Sequence, residues 1–221
     1  MFGGWAENEE NNFWMSYTDL VTGFMIIFMV ISLALSLLKG EKKVLESKYA
    51  ELIGEFEEVF KDQNAIEIAD SATIRFTIQD KSLFQLRNHK PTPYFESVLD
   101  SFIPLYYSRL ETFYNESRDS FTIQEIRIEG HTDSLGDYVN NLITSSARAM
   151  EIQKYIVRHD YFKNLDPDFQ NFVLSNSIAC GYAYTRPLDT AGVSKTSMEQ
   201  IYDADRSRRV EFRVLIEYNE K

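Results

Sequence analysis

The residues most able to do chemistry lie in EGHTDSLGDYVNNLITSSARA, residues 129–149, where a strand-like run ends at Gly130, a polar turn follows and a helix begins. On that helix Asn141, Ser145 and Arg148 fall at i, i+4 and i+7, a spacing that makes one polar ridge beside the apolar stripe. Asp133, in the turn, adds a carboxylate. An acid and a guanidinium fork held apart suit a zwitterionic ligand, the acid taking an ammonium group and the fork a carboxylate. Equally, Asp133 and Arg148 could pair with each other as a structural salt bridge. His131 invites an enzymatic reading, but a triad needs an activated nucleophile and a metal site needs several converging ligands. His89 and His159 share no motif with it, and no metalloprotease or serine-hydrolase signature occurs. The expectation is a structural histidine bonding the turn backbone in a protein that is not an enzyme, with no metal and no cofactor.

A second chemically pointed residue is Asp19, in WMSYTDLVTGFMIIFMVISLALSLL. From Leu20 to Leu38 the run carries no charge, and its only polar side chains are Thr22, Ser32 and Ser36. As a helix, at a rise of about 1.5 Å per residue, it covers roughly the 30 Å of a hydrocarbon core. Its acidic flank and its length set it apart from a cleaved signal peptide. A carboxylate in a span costs several kcal/mol unless it is protonated, paired or wetted, which makes Asp19 a candidate for an ion pathway. The alternative is a helix-start cap at headgroup level. Thr22 and Gly23, three and four residues on, share its face and form a small hydroxyl-bearing strip that lets another helix approach. Trp14 and Tyr17 stand where an aromatic interface belt should lie. No other Asp, Glu, Lys or Arg lies in the span, so any counter-group must come from another chain.

These groups need elements to position them. Beyond the span, Leu45, Tyr49, Leu52, Phe56 and Val59 recur at spacings of four, three, four and three, an a/d seam that either pairs two copies or packs one helix on the soluble domain. ATIRFTI (residues 72–78) alternates like a half-buried strand. PTPYFESVLDSFIPLYYSRLETFYNE carries Phe95, Val98, Leu99, Phe102 and Ile103 at helical spacing, with Pro104 expected to kink or divide it. FTIQEIRIEG reads as a strand, and the helix after it has Leu142, Ala149, Ile152 and Ile156 as its core stripe. SNSIACGYA is a third strand, a polar loop runs from Arg186 to about Ser207, and RRVEFRVLIEY is a long last strand. Strands and helices in this alternation make an α+β domain with one mixed sheet and helices on one face. The expected division is an N-terminal tail (1–16), a transmembrane helix (17–38), a juxtamembrane amphipathic helix or linker (39–64) and one globular domain (65–221).

The chain has 221 residues and a formal charge of −11, a balance that argues against nucleic-acid phosphates as a ligand. Cys180 is the only cysteine, which leaves no internal disulfide and no cysteine-rich metal site. Orientation is in conflict on charge alone. Lys39, Lys42, Lys43 and Lys48 follow the span while no Lys or Arg precedes it, and the positive-inside rule puts the C-terminal domain in the cytoplasm.

IEGHTDSLGDYVNNLITSSARA, followed by GYAYTRPLD and SRRVEFRV, resembles the OmpA-like peptidoglycan-binding domain over roughly Ala72 to Tyr218. The resemblance implies that Asp133 of the GHTD turn and Arg148 of the helix grip diaminopimelate in the wall peptide. Thr132 and Asn141 stand beside them, and Arg208 is the first arginine of the RRVE segment. Ser207 replaces that segment's usual Asn, and Thr144 stands where the helix usually has Leu. Together with WMSYTDLVTGFM leading into a single span, the chain is similar to MotB-type stator subunits. This implies a homodimer inside a ring of multi-span MotA-like subunits, with Asp19, near Thr22, binding the conducted H+ or Na+. It also implies a cytoplasmic N-terminus and a periplasmic wall-binding domain, in the bacterial inner membrane. The short connection between span and domain looks more like the stator-like B subunit of Zorya anti-phage defence complexes than like flagellar motility subunits. The wall-binding domain that the resemblance implies also suits a passive inner-membrane peptidoglycan tether whose span conducts nothing.

Overall fold

The computed structural model describes residues 14–15, 17–37, 40, 43–44, 47, 50, 66–70, 73–76, 83–85, 89–117, 121–193 and 203–218. The chain divides into two compact units, Met1–Val44 and Leu45–Lys221. The five residues of the heptad seam, Leu45, Tyr49, Leu52, Phe56 and Val59, lie outside the described residues, as does most of the N-terminal tail.

The first unit is built on helix α1, Tyr17–Leu37, the one helix among the described residues long and apolar enough to cross a membrane. Its side chains, Phe24, Phe28 and Met29 among them, are exposed along the whole length. The hydroxyls of Thr18 and Thr22 donate to the carbonyls of Trp14 and Thr18, each at 2.7 Å, so both polar side chains are satisfied within the helix. Trp14 and Tyr17 meet edge to face, with centroids 6.2 Å apart.

In the second unit five strands form one sheet in the order β1-β2-β5-β3-β4. They are β1 (Ile66–Asp70), β2 (Thr73–Phe76), β3 (Phe121–Gly130), β4 (Ser177–Gly181) and β5 (Val210–Tyr218). All neighbours are antiparallel except β3 and β4, which run parallel. The register places Ile66, Phe76, Val210, Gly130 and Gly181 in one row across the end of the sheet. The next row holds Glu67, Arg75, Glu211, Glu129 and Cys180. Four of the strands fall where the sequence patterns put them. The fifth, β1, comes from IEIAD, an alternating run too short to stand out in the sequence pattern.

Alternation along the strands separates the two faces. Ile74, Phe76, Ile126, Ile128, Phe212 and Val214 point into a core closed by α2 (Pro93–Ser117), α3 (Tyr138–Arg158) and α5 (Pro167–Asn176). At its centre Phe76, Phe102 and Phe212 meet pairwise, with ring centroids 4.8 to 5.3 Å apart. Helix α2 is not divided at Pro104 but runs through it. An interior proline costs about 3 kcal/mol. Leu99, Phe102, Ile103, Tyr106 and Tyr107, all buried on either side of Pro104, hold the helix against that loss.

Helix α3 starts at Asp137, whose carboxylate accepts the Asn140 N–H at 3.0 Å as a cap. Its buried line is Asn141, Ser145, Ala149, Ile152 and Ile156. Leu142, expected in the core stripe, is instead only half-buried. The reason lies in the sheet: α3 crosses the ends of β3 and β4 at two glycines. A methyl group on Gly130 would overlap the Ser145 carbonyl, and one on Gly181 would overlap the side chain and amide of Ser145 and Ser146. So close an approach admits small polar residues and leaves no room for a leucine. The chain then passes through α4 (Asp160–Lys163) to α5, which Asp166 caps with Pro167 in the first turn. The polar loop after Arg186 includes a last short helix, α6 (Ala204–Ser207). Gly130→Ala is expected to cost about 1–3 kcal/mol by overpacking against backbone that cannot yield, as measured by urea unfolding of the full chain in detergent.

Candidate functional site

Past Gly130 the β3 chain stays tied to both neighbours. The His131 N–H donates to the Arg209 carbonyl at 3.0 Å, Tyr182 N–H to Gly130 at 2.9 Å, and Thr132 N–H to Ala183 at 2.9 Å. Asp133 therefore leaves a backbone that is fixed on two sides. Its Oδ1 accepts the Leu135 N–H at 3.0 Å, an Asx turn. The Leu135 carbonyl in turn accepts from Asn141 Nδ2 at 2.8 Å, and Gly136 takes the positive φ of 88° that the tight turn requires. Ser145 Oγ donates to Leu142 O at 3.1 Å and accepts the Ala183 N–H at 3.0 Å. Two members of the expected polar ridge, Asn141 and Ser145, are thus buried fasteners of the loops.

The third member behaves differently. The Arg148 guanidinium lies over the Phe84 ring, 5.1 Å from its centroid, and its Nε is buried without a hydrogen-bond partner. Among the described residues no carboxylate lies within ion-pair distance of it. Burial pulls its pKa down, the nearby Asp133 carboxylate pulls it up, and Arg208 pulls it down again. Arginine stays protonated throughout, so the net result is a charged group short of a counter-ion. The alternative of a structural Asp133–Arg148 bridge is not what the chain forms: Asp133 Oδ2 accepts from Arg208 Nη1 at 2.5 Å, and Arg208 also pairs with Asp205. The Thr132 hydroxyl is buried beside Asp133, also without a partner. Arg148 Nε and the Thr132 hydroxyl are therefore left without hydrogen-bond partners, with Asp133, already paired to Arg208, beside them. Phe84 was not foreseen; it sits in the 83–91 segment, where it bridges to Pro91, and no periodicity marks it. Ser207, the residue in place of the usual Asn, donates to Asp203 O at 2.6 Å and accepts the Leu188 N–H at 3.0 Å, which holds the backbone before Arg208.

Beneath this site the polar face of the sheet carries a buried charge network. Glu211 Oε1 accepts from Arg75 at 3.0 Å and from Arg209 at 2.6 Å, and Glu129 accepts from Arg186 at 3.1 Å. His131 lies between, its Nε2 at 3.8 Å from a carboxylate oxygen of each glutamate and its ring stacked on Tyr182. The imidazole does not bond the turn backbone as expected; neither ring nitrogen has a hydrogen-bond partner, and it is the His131 amide that bonds. Burial, then Arg209, pushes its pKa well down, so the ring is neutral. Glu129, His131 and Glu211 bring ligand atoms within 4.8 Å of one another, the geometry of a small metal site. Arg75, Arg186, Arg209 and Arg213 already surround both carboxylates, however, and their positive charge opposes a bound cation.

In the first unit, Asp19 is exposed in the first turns of α1. Thr22 uses its proton on the Thr18 carbonyl, which leaves the hydroxyl lone pairs beside the acid.

No family model matches the chain. It is 31% identical over 229 aligned residues to Zorya protein ZorB of Escherichia coli strain Crooks, covering 95% of this chain and 90% of that one. It is 24% identical to Zorya protein ZorB of Escherichia coli O139:H28, covering 95% and 82%. Among solved structures, it is similar to a putative MotB-like protein from Desulfovibrio vulgaris, at 20% identity and a TM-score of 0.47, over 81% of this chain and 96% of that one. It is also similar to the cell wall anchor of the T6SS from Pseudomonas aeruginosa, at 18% identity and a TM-score of 0.40, over 77% and 96%.

The network gives the fold a pH dependence. Burial alone would raise the Glu211 carboxyl, but Arg209, with Arg75, overrides it and holds the group down to about 2. A depressed carboxylate contributes stability that is present above its unfolded value and is lost as pH falls through the folded one. Urea unfolding between about pH 6 and about pH 2, which spans the unfolded carboxyl value of about 4.3 and the folded one, is expected to show falling stability in the native chain. Glu211→Gln, less stable at pH 6, is expected to show a flatter slope.

Proposed function

We propose, since the chain belongs to the ZorB family, that it is the wall-gripping, ion-conducting subunit of an inner-membrane motor complex serving defence against phage. The observation that carries the reading is Arg148, a guanidinium short of a counter-ion, next to Asp133 at the rigid end of β3. A free amino-acid centre presents an ammonium and a carboxylate a few ångströms apart, and diaminopimelate of the wall peptide is the candidate that matches both charges. Thr132, with its unused hydroxyl, lines the same place. Held by the wall, the soluble domain faces the periplasm and the N-terminus lies in the cytoplasm. Lys39, Lys42 and Lys43 then follow the span on the outer side, a placement the wall-binding reading requires against the charge rule.

In the span, Asp19 and the Thr22 oxygen offer a site for a proton or a sodium ion. Binding neutralises the acid, release restores its charge, and each change alters the field felt by surrounding multi-span, MotA-like subunits. A second copy of this chain completes the central helix pair. Wall attachment keeps that pair still, so that the ring is the part that turns.

Two measurements test the two halves. Arg148→Ala should lower retention of the full chain on isolated peptidoglycan by at least about tenfold, the loss of a charge-assisted contact. Asp19→Asn, matched for insertion, should abolish ion flux in vesicles that hold the chain and its multi-span partner. Flux equal to the native in that variant removes the ion-binding role. Wall retention without flux in either protein makes the chain a passive tether.

A further inference from the structure

Asp133 is already engaged within the chain. One carboxylate oxygen takes the Leu135 N–H, and the other takes Arg208 at 2.5 Å. The Arg208 guanidinium holds the oxygen on which a ligand ammonium would pair, so the two cations compete for it. The two partners differ in freedom: the Arg208 side chain is 43% exposed and the Asp133 side chain 10%. Arg208 also holds a second contact, to Asp205, on which it can swing outward. Asp133, fixed by its Asx turn, stays in place.

We infer that Arg208 stands in for the ligand's ammonium group, so that binding at Asp133 depends on the same ligand also bringing a carboxylate. This rests on the reading of the pocket as a site for an amino-acid centre. An amine without a carboxylate exchanges one ion pair for another, strips Arg208 of half its compensation and leaves Arg148 still without an anion. A carboxylate without an amine pairs with Arg148 and leaves the Asp133–Arg208 bridge untouched. A zwitterion does both: its ammonium takes Asp133, and its carboxylate spans Arg148 and the displaced Arg208. Every charge in the pocket is then matched, which no single-charge ligand achieves. Arg208 is in this account the residue that selects a free amino-acid centre over a polyamine or a simple carboxylate.

Three seven- or five-carbon probes separate the possibilities: diaminopimelate, pimelate, which lacks the amines, and cadaverine, which lacks the carboxylates. Binding is followed by saturation-transfer NMR on the full chain in nanodiscs. The native chain should bind diaminopimelate best, pimelate next and cadaverine least. In Arg208→Gln the carboxylate of Asp133 is released, and cadaverine should gain about tenfold, the worth of a charge-assisted contact. Arg208→Lys, which keeps the competing charge, should leave cadaverine weak. Unchanged cadaverine binding in Arg208→Gln, with diaminopimelate still bound, overturns this inference alone. Failure of the native chain to bind diaminopimelate overturns the pocket reading together with it.

Discussion

Ser145 presses α3 against Gly130 and Gly181 so closely that neither strand position has room for a side chain. Its hydroxyl then takes the amide of Ala183, one loop away. Through that contact the helix that carries Arg148 and the strand that leads to Asp133 share a single reference point. Move the helix outward by the width of a methyl group and both the Asn141 bond to the turn and the spacing of acid and guanidinium change together. The pocket is thus not a loop feature laid over the fold; it inherits its dimensions from the tightest packing in the domain.

The other support is electrostatic. On the polar face of the sheet, Arg75, Glu211 and Glu129 lie in one row across three strands, with Arg209, Arg186 and Arg213 at its borders. Charges this deeply buried are tolerable only when each has partners, and removing one leaves the rest uncompensated. The cluster therefore specifies register: slip β5 by one residue against β2 or β3 and Glu211 moves to the apolar face. His131, neutral within it, fills space among guanidiniums that would repel its charged form.

Much of this was legible in the sequence, and what escaped did so for identifiable reasons. Asp133 and Arg148 were visible because helical spacing and the strand-to-helix break place them without knowledge of distant partners. Arg208 could be picked out only by resemblance, and its partner only from structure, since 75 residues separate it from Asp133. The Arg75–Glu211 pair likewise follows from register, which no single strand's pattern records. Helix α5 was missed although its signals were present: Asp166 and Pro167 open it, and Phe169 and Val173 lie four apart on its buried side. Leu142 misled because helical periodicity alone cannot say which of two adjacent stripes meets a pair of glycines. Pro104 does not divide α2 because local propensity gives way to the aromatic core packed around it.

The row that joins Ile66 to Gly130 has a mechanical meaning for a domain held at its pocket. Chain coming from the first unit enters the sheet at Ile66, on the edge strand, and the pocket opens just past Gly130, at the same end and three strands across. Tension between those two points acts across the strands and not along them, so it tends to peel the ladder open bond by bond from that end, where shear along a strand would load many bonds at once. The second row such a tear would meet, past Phe76 and Val210, is the Arg75–Glu211–Glu129 cluster. Ion pairs that fix the register of the resting fold stand there as a crack-stop under load.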